Sequence, residues 1–226
     1  MDFVRLAHRS DDEGTAIDVG ANLGLYCELL APLFKRVIAF EPQPDLAKYL
    51  KRVLPKNVEV HQLALSNAIG EADIHIPKLR GGRSAFWNMD AMASLIPAVV
   101  SGYGGHVHTV KVKTATLDDM TADVDRIDFV KIDVEGHENA VLDGAAKTID
   151  RHKPVMLIEI EKRHNAQAQA AFKILEERGY ISFEVSGSKM EPAIAAHLDR
   201  QISDPAYRSN YFFIHQDDSR LMRFRP

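Results

Sequence analysis

The chain has 226 residues, of which 46% are apolar, 27% charged and 8% aromatic, close to ordinary globular usage, which excludes a disordered, collagenous or low-complexity chain. Lysine and arginine number 28 against 32 acidic residues, a formal net charge of −4 that speaks against a broadly basic nucleic-acid face. Cys27 is the single cysteine, which excludes an intrachain disulfide and a cysteine-based zinc site. No apolar run approaches the ~18 residues of a membrane span, and the first residues lack the apolar stretch of a secretory signal. The expectation is a soluble, cytoplasmic protein without a membrane partner.

From Thr15 onward short apolar runs alternate with segments of helical period, the pattern of βαβ units around a parallel sheet. Strands are expected at 16–19, 36–40, 58–62, 127–132 and 155–160. Each is a nearly continuous apolar run, as strands covered on both faces must be. Helices are expected at 23–33, 45–54, 138–149 and 166–178, with Gly179 placed to stop the last. Two further strands, 180–185 and 211–215, bring the sheet to seven, with a helix near 192–200 between them. Residues 72–76 and 107–113 alternate with period two and read as an added antiparallel pair. Their connection, 77–106, is glycine-rich, carries a helix around 88–100, and reads as a lid over a substrate.

The first motif lies where strand 16–19 meets its helix: Asp18-Val19-Gly20-Ala21-Asn22-Leu23-Gly24. Glycines 20 and 24 let a ligand approach the backbone, and the helix start beyond them offers N–H groups to an anion. The dinucleotide fingerprint needs a middle glycine that is missing here, and Asp18 would repel a diphosphate. Asp18 suits a ligand bearing an ammonium or sulfonium, the two cations of S-adenosylmethionine, whose carboxylate would meet the helix N-terminus. Glu41 lies 21 residues after Gly20, at the end of the second strand, where a carboxylate accepts from both ribose hydroxyls. This holds for nicotinamide and adenosylmethionine cofactors alike, so the choice rests on Asp18 and the glycine spacing. Ala64, Leu65 and Ser66 would flank an adenine.

The third motif is Lys131-Ile132-Asp133-Val134-Glu135-Gly136-His137-Glu138, at the end of the fourth strand. In a doubly wound sheet these strand ends open onto one crevice, so Asp133 and Glu135 face Asp18 and Glu41, with Glu159 joining from the next strand. So many acids suit a cationic cofactor or a metal.

The segments Asp18-Val-Gly-Ala-Asn-Leu-Gly24, Phe40-Glu41-Pro42, Ala64-Leu65-Ser66, Thr116-Leu117-Asp118-Asp119 and Lys131-Ile-Asp-Val-Glu-Gly-His137-Glu138 stand in the order and spacing of the FkbM methyltransferases. The chain resembles that family over residues 15–163, with an echo at 210–214. The resemblance implies a class I S-adenosylmethionine-dependent α/β domain spanning 1–226, doubly wound and Rossmann-like. Its seven-stranded sheet has an antiparallel last strand, an added β-hairpin and a lid insertion. The common activity it implies is O-methylation of a small-molecule hydroxyl, on a sugar or another secondary metabolite.

On this reading Asp18, Gly20, Ala21, Asn22, Gly24, Glu41, Pro42, Ala64, Leu65 and Ser66 hold the cofactor. Asp133 stands beside the methyl group, His137 or Glu135 serves as base, and Lys131 pairs with neighbouring acids. Ser84, Trp87 and Glu159 are substrate-side candidates, Trp87 with Phe86 for stacking on a sugar ring. No metal site is assigned; a Mg²⁺ held by Asp133, Glu159 and a third oxygen is a nearer option than a zinc on the scattered histidines. A homo-oligomer would complete the acceptor site from a neighbouring subunit. The competing readings are methylation of protein or nucleic acid, disfavoured by the acidic balance and by Asp133-Val134-Glu135-Gly136 in place of an Asn/Asp-Pro-Pro-aromatic segment, and a non-catalytic S-adenosylmethionine-binding protein of the same fold.

Overall fold

The computed structural model describes residues 14–78, 93–101, 106–186, 189–202 and 209–223. In chain order the first half holds β1 (Thr15–Val19), α1 (Leu25–Leu30), β2 (Arg36–Phe40), α2 (Pro44–Val53), β3 (Val58–His61), β4 (Ala64–Leu65), β5 (Gly70–Lys78), α3 (Pro97–Ser101) and β6 (His106–Ala115). The second half holds α4 (Leu117–Met120), β7 (Ile127–Ile132), α5 (Glu138–Asp143), α6 (Ala146–His152), β8 (Val155–Glu159), α7 (Gln169–Glu176), β9 (Tyr180–Ser186), β10 (Lys189–Pro192) and β11 (Asn210–His215). Two 3-10 segments, Ala195–Ile202 and Ser219–Arg223, flank β11.

The main sheet has the order β10-β9-β11-β8-β7-β1-β2-β3. Its centre is parallel, and β11 inserts antiparallel between β8 and β9. All seven expected strands are present, and β10 adds an eighth by folding back on β9. A short polar segment that ends in a proline reads as a connection; at a sheet edge it is tolerated as a strand.

Successive side chains of a strand point to opposite faces, and here both faces are covered. Ile17, Val19, Val130, Ile132, Met156 and Ile158 pack under Val141, Leu142, Ile149, Phe172 and Leu175. Ala16, Phe129, Val155 and Leu157 pack under Cys27, Leu30, Phe34, Ala47 and Leu50. That double burial is why the central strands read as continuous apolar runs.

The expected hairpin forms as β5 against β6, and β4 joins β6 in parallel to make a second, three-stranded sheet. Ser94 bridges to His75 of β5, so the segment leading to α3 lies on this sheet. Of the helix expected at 88–100, residues 88–92 fall outside the described residues, 93–96 form a bridge and a bend instead, because Ser94 pairs with His75, and α3 covers only the end. The expected helix 192–200 is the 3-10 segment Ala195–Ile202.

Two helices differ from expectation for local reasons. The first begins only at Leu25, because Asn22 and Gly24 adopt left-handed backbone, with φ of 50° and 85°. The helix expected over 138–149 is two, α5 and α6, meeting at Gly144. A Cβ at that position would lie 2.1 Å from the Ser66 carbonyl oxygen. The Asp118 carboxylate restarts the second helix by accepting from the backbone N–H groups of Lys147 and Thr148, at 3.1 and 2.8 Å.

Phe172 joins α7 to β11, meeting the rings of Tyr211 and Phe213 edge-on with centroids 5.0 and 5.2 Å apart. Phe172→Ala is expected to destabilise the protein by about 3–5 kcal/mol, the usual cost of removing a buried phenylalanine. The shift in chemical denaturation midpoint measures it.

Candidate active site

At the carboxyl edge of the sheet a turn ties three strand ends together. Both Gly20 N–H and Ala21 N–H donate to the Phe40 carbonyl, at 2.9 and 3.1 Å, and Asp133 N–H donates to the Val19 carbonyl at 3.0 Å. Glu41 completes the tie, its two oxygens accepting from Asn22 N–H and Gln43 N–H at 2.8 Å each. Gly20 is needed twice over: its φ is 81°, and a Cβ would lie 1.9 Å from the Asp133 carbonyl oxygen. The room left by glycines 20 and 24 is taken by the protein itself, by Asp133 backbone at the first and by Leu50 and Leu54 side chains at the second. The amides of Gly20, Ala21, Asn22 and Gly24 are engaged inside the protein.

Beside the turn lies a cleft of about 550 Å³, its open mouth included. Of the residues selected from sequence, Gly20, Asn22, Glu41, Pro42, Ala64, Leu65, Asp133, Glu135 and His137 line it. Phe40, Leu63, Ile74 and Leu95 add an apolar wall, and Gln43 a further polar group. Among the described residues no lysine or arginine lines the cleft. Asp18, Ala21, Gly24, Ser66, Lys131 and Glu159 are not part of its wall. Ser84 and Trp87 lie outside the described residues.

Behind the wall sits a buried charged network. Asp18 is 2% exposed and accepts from the Cys27 thiol at 3.1 Å. Burial pushes its carboxyl up to about 6, and the thiol hydrogen bond and Lys131 hold it from rising further. Asp18 is therefore not a direct wall of the cleft, as its place in the motif suggests, but part of the layer beneath the turn. Lys131 is its register partner across β1 and β7. The Lys131 ammonium is 1% exposed, 3.1 Å from the Asp133 carboxylate and 5.0 Å from the centre of the Tyr26 ring. Burial pulls its pKa down, but Asp133, Tyr26 and Glu159 outweigh burial and leave it raised. The expected ion pair of Lys131 with neighbouring acids is present.

Burial and the neighbouring Asp133 push Glu159 up to about 7, while the Ser209 hydroxyl donates to it at 2.7 Å. Glu138, whose carboxylate accepts from Gly136 N–H at 2.8 Å, is also raised by burial to about 7. The imidazole of His137 is lowered by burial, and its Nε2 lies 3.0 Å from the Ser66 hydroxyl. Glu135 has left-handed backbone, φ 49°, strain of the kind that collects at functional sites. It is held by Ser94, whose hydroxyl donates to its carbonyl at 2.7 Å, and by His164, 2.8 Å from its carboxylate. Burial lowers the His164 pKa, but Glu135 and Glu161 overcome this and leave it raised. Among the described residues no three His, Cys, Asp or Glu side chains gather into a metal-ligating set.

Sequence reading missed Gln43, Ser94, Glu138, His164 and the Cys27 thiol. Gln43 directly follows Glu41-Pro42 and Glu138 closes the third motif, so both stood in view. Ser94 and His164 reach Glu135 only through the tertiary fold.

The profile of the methyltransferase FkbM domain matches residues 18–182. The chain belongs to the FkbM methyltransferase domain family. A methyltransferase FkbM from Methylobacillus flagellatus KT superposes with a TM-score of 0.54 at 18% identity, covering 91% of this chain but 44% of that one. The chain thus spans less than half the length of that relative. An rRNA methylase from Streptococcus thermophilus gives a TM-score of 0.48 at 14% identity, covering 93% and 90% of the two chains. A putative S-adenosylmethionine-dependent methyltransferase from Listeria monocytogenes gives 0.46 at 11% identity, covering 94% of each. No curated protein matches the sequence significantly. The donor set of the cleft suits a cationic ligand. Glu41, Asp133 and Glu135 offer negative charge, an apolar wall stands beside them, and no lysine or arginine among the described residues invites a diphosphate.

The buried acids make a pH prediction. Asp18, Glu138 and Glu159 hold their protons more tightly folded than unfolded, where carboxyls titrate near pH 4. Folding therefore takes up protons between about pH 4 and 7, and stability falls as pH rises through that window. His164, raised, acts in the same sense; His137, lowered, opposes it. Denaturant midpoints of the ligand-free protein are expected to be higher near pH 5.5 than near pH 8, by an amount on the order of a few kcal/mol. Equal midpoints would contradict this.

Proposed function

We propose that this chain transfers the methyl group of S-adenosylmethionine to a hydroxyl of a small molecule, a sugar or another secondary metabolite. The observation that carries the proposal is the cleft itself, lined by Glu41, Asp133 and Glu135 and by no lysine or arginine among the described residues. Such a wall repels an anionic cofactor and attracts a cationic one.

Glu41, fixed by two backbone amides, would accept from the ribose hydroxyls, and Phe40, Leu63, Ala64 and Leu65 would enclose the adenine. When bound, the cofactor supplies a methyl group already activated by its sulfonium. What remains for the protein is alignment, which supplies about 7–11 kcal/mol of the barrier, and removal of the hydroxyl proton. Three groups in the cleft are candidates for that proton. Each has a protein partner, His137 in Ser66, Glu135 in His164 and Asp133 in Lys131, but the Asp133 carboxylate is the more open of the two acids. Asp133, about one-third exposed, lines the cleft with the Lys131 ammonium behind it and is the group we assign as the proton acceptor. Lys131 acts by holding Asp133 in place and touches nothing in the cleft.

Calorimetric titration with S-adenosylhomocysteine tests the cofactor half. The wild type is expected to bind, and Glu41→Ala to lose at least about tenfold in affinity, as expected when hydrogen bonds to a charged group are removed. Asp133→Asn is expected to bind the product normally and to lose about 10²- to 10⁴-fold in methyl transfer across a hydroxyl panel. Absence of product binding by the wild type, or full transfer by Asp133→Asn, would defeat the respective assignment.

A further inference from the structure

We propose that Asp133 and Glu159 act as a single proton-holding unit, so that the proton of the acceptor hydroxyl settles between the two carboxyls instead of on Asp133 alone. Glu159 is then a positioning residue, acting through Asp133 from behind the cleft. This deepens the methyl-transfer reading and rests on it.

The placement follows from the register. Strands β7 and β8 run in parallel, with Lys131 opposite Leu157 and Ile132 opposite Ile158. Asp133 and Glu159 are the next residues on each strand and emerge side by side. Their carboxyls come within reach of each other, and two carboxyls bond at such range only with a proton between them. Each is also pinned from outside the pair. The Ser209 hydroxyl donates to Glu159 Oε1 at 2.7 Å, and Lys131 Nζ lies 3.1 Å from Asp133 Oδ2. Only Asp133 opens onto the cleft. The charged and titratable groups that face the pair are Lys131 from β7, Tyr26 from α1, Asp18 from β1 and Glu138 from α5.

Two carboxyls that share a proton give it up late, and the second ionisation belongs to the pair. Burial and Asp133 push that event at Glu159 up to about 7, with Ser209 and Lys131 pulling it back. A base whose conjugate acid titrates near the working pH is the most effective kind. In the doubly ionised state the acceptor O–H bond breaks towards Asp133, and its proton is kept between Asp133 and Glu159. The electron pair left on oxygen forms the new O–C bond as the methyl carbon's bond to sulfur breaks, its electrons staying on sulfur. The Lys131 ammonium stabilises the doubly charged pair before the step.

The test is infrared titration of the carboxyl C=O bands of the ligand-free protein between about pH 5 and 9, the range in which a raised carboxyl separates from ordinary ones. The wild type is expected to lose carboxyl intensity with a midpoint near 7, contributed by Glu159 and Glu138. Glu159→Gln removes its share and leaves that of Glu138 as an internal control. Ser209→Ala leaves the intensity in place but moves the Glu159 share to higher pH, because the hydroxyl that favours its ionised form is gone. In methyl transfer, the acid limb of the kcat/KM profile is expected to move to lower pH in Glu159→Gln, because the carboxyl raised beside the base is gone, with S-adenosylhomocysteine affinity retained. An unchanged band and an unchanged acid limb in both variants would overturn the proposal. Loss of product binding in the wild type would overturn the methyl-transfer reading instead, while the infrared titration still reports on the pair.

Discussion

An ammonium removed from water at the carboxyl edge of the sheet organises everything around it. Lys131 sits on the most central pairing of the sheet, 1% exposed, where an unpaired charge costs several kcal/mol. The fold answers it with Asp133 on the same strand, Asp18 across the sheet and the Tyr26 ring above. Those answers in turn have costs. Asp18 needs the Cys27 thiol, and Asp133 brings Glu159 with it. One lysine therefore gathers the acids of three neighbouring strands to a single place, and the cleft inherits their negative field.

Much of this was readable in the amino-acid order. The central strands appeared as unbroken apolar runs because both their faces are covered, and their bounds at 36–40 and 127–132 needed no revision. The acids at strand ends were readable because a doubly wound sheet brings those ends together. What could not be read depends on contacts between distant segments. The break at Gly144 answers to the Ser66 carbonyl, a distant contact that the glycine alone does not reveal. Asp18 looked like a ligand because the motif stops at the strand end, whereas its burial is decided by Cys27 and Lys131. The motif around Thr116 to Asp119 proved structural in its polar members. Thr116 caps α4, and Asp118 starts α6.

The two glycines of the first turn teach a related lesson. Their conformations are those expected of left-handed positions, yet the atoms that need their small size belong to Asp133, Leu50 and Leu54. A glycine motif records a close approach without saying what approaches. Here it welds the ends of β1, β2 and β7 into one rigid corner, and that rigidity is what lets Glu41 stand in a fixed place.

Ser94 has a consequence of another kind. Its backbone is bridged to His75 on the three-stranded sheet, and its hydroxyl grips the carbonyl of Glu135. One residue thus fastens an appended wall to the corner where the acids meet. The wall carries Ile74, Ala93 and Leu95 into the cleft, while Glu41, Pro42 and Gln43 enter from the main sheet. The two sides of the chamber are separately replaceable. Sequence drift on the appended wall can re-cut the shape of one side while the opposite side keeps its chemistry, provided that the Ser94 rivet holds.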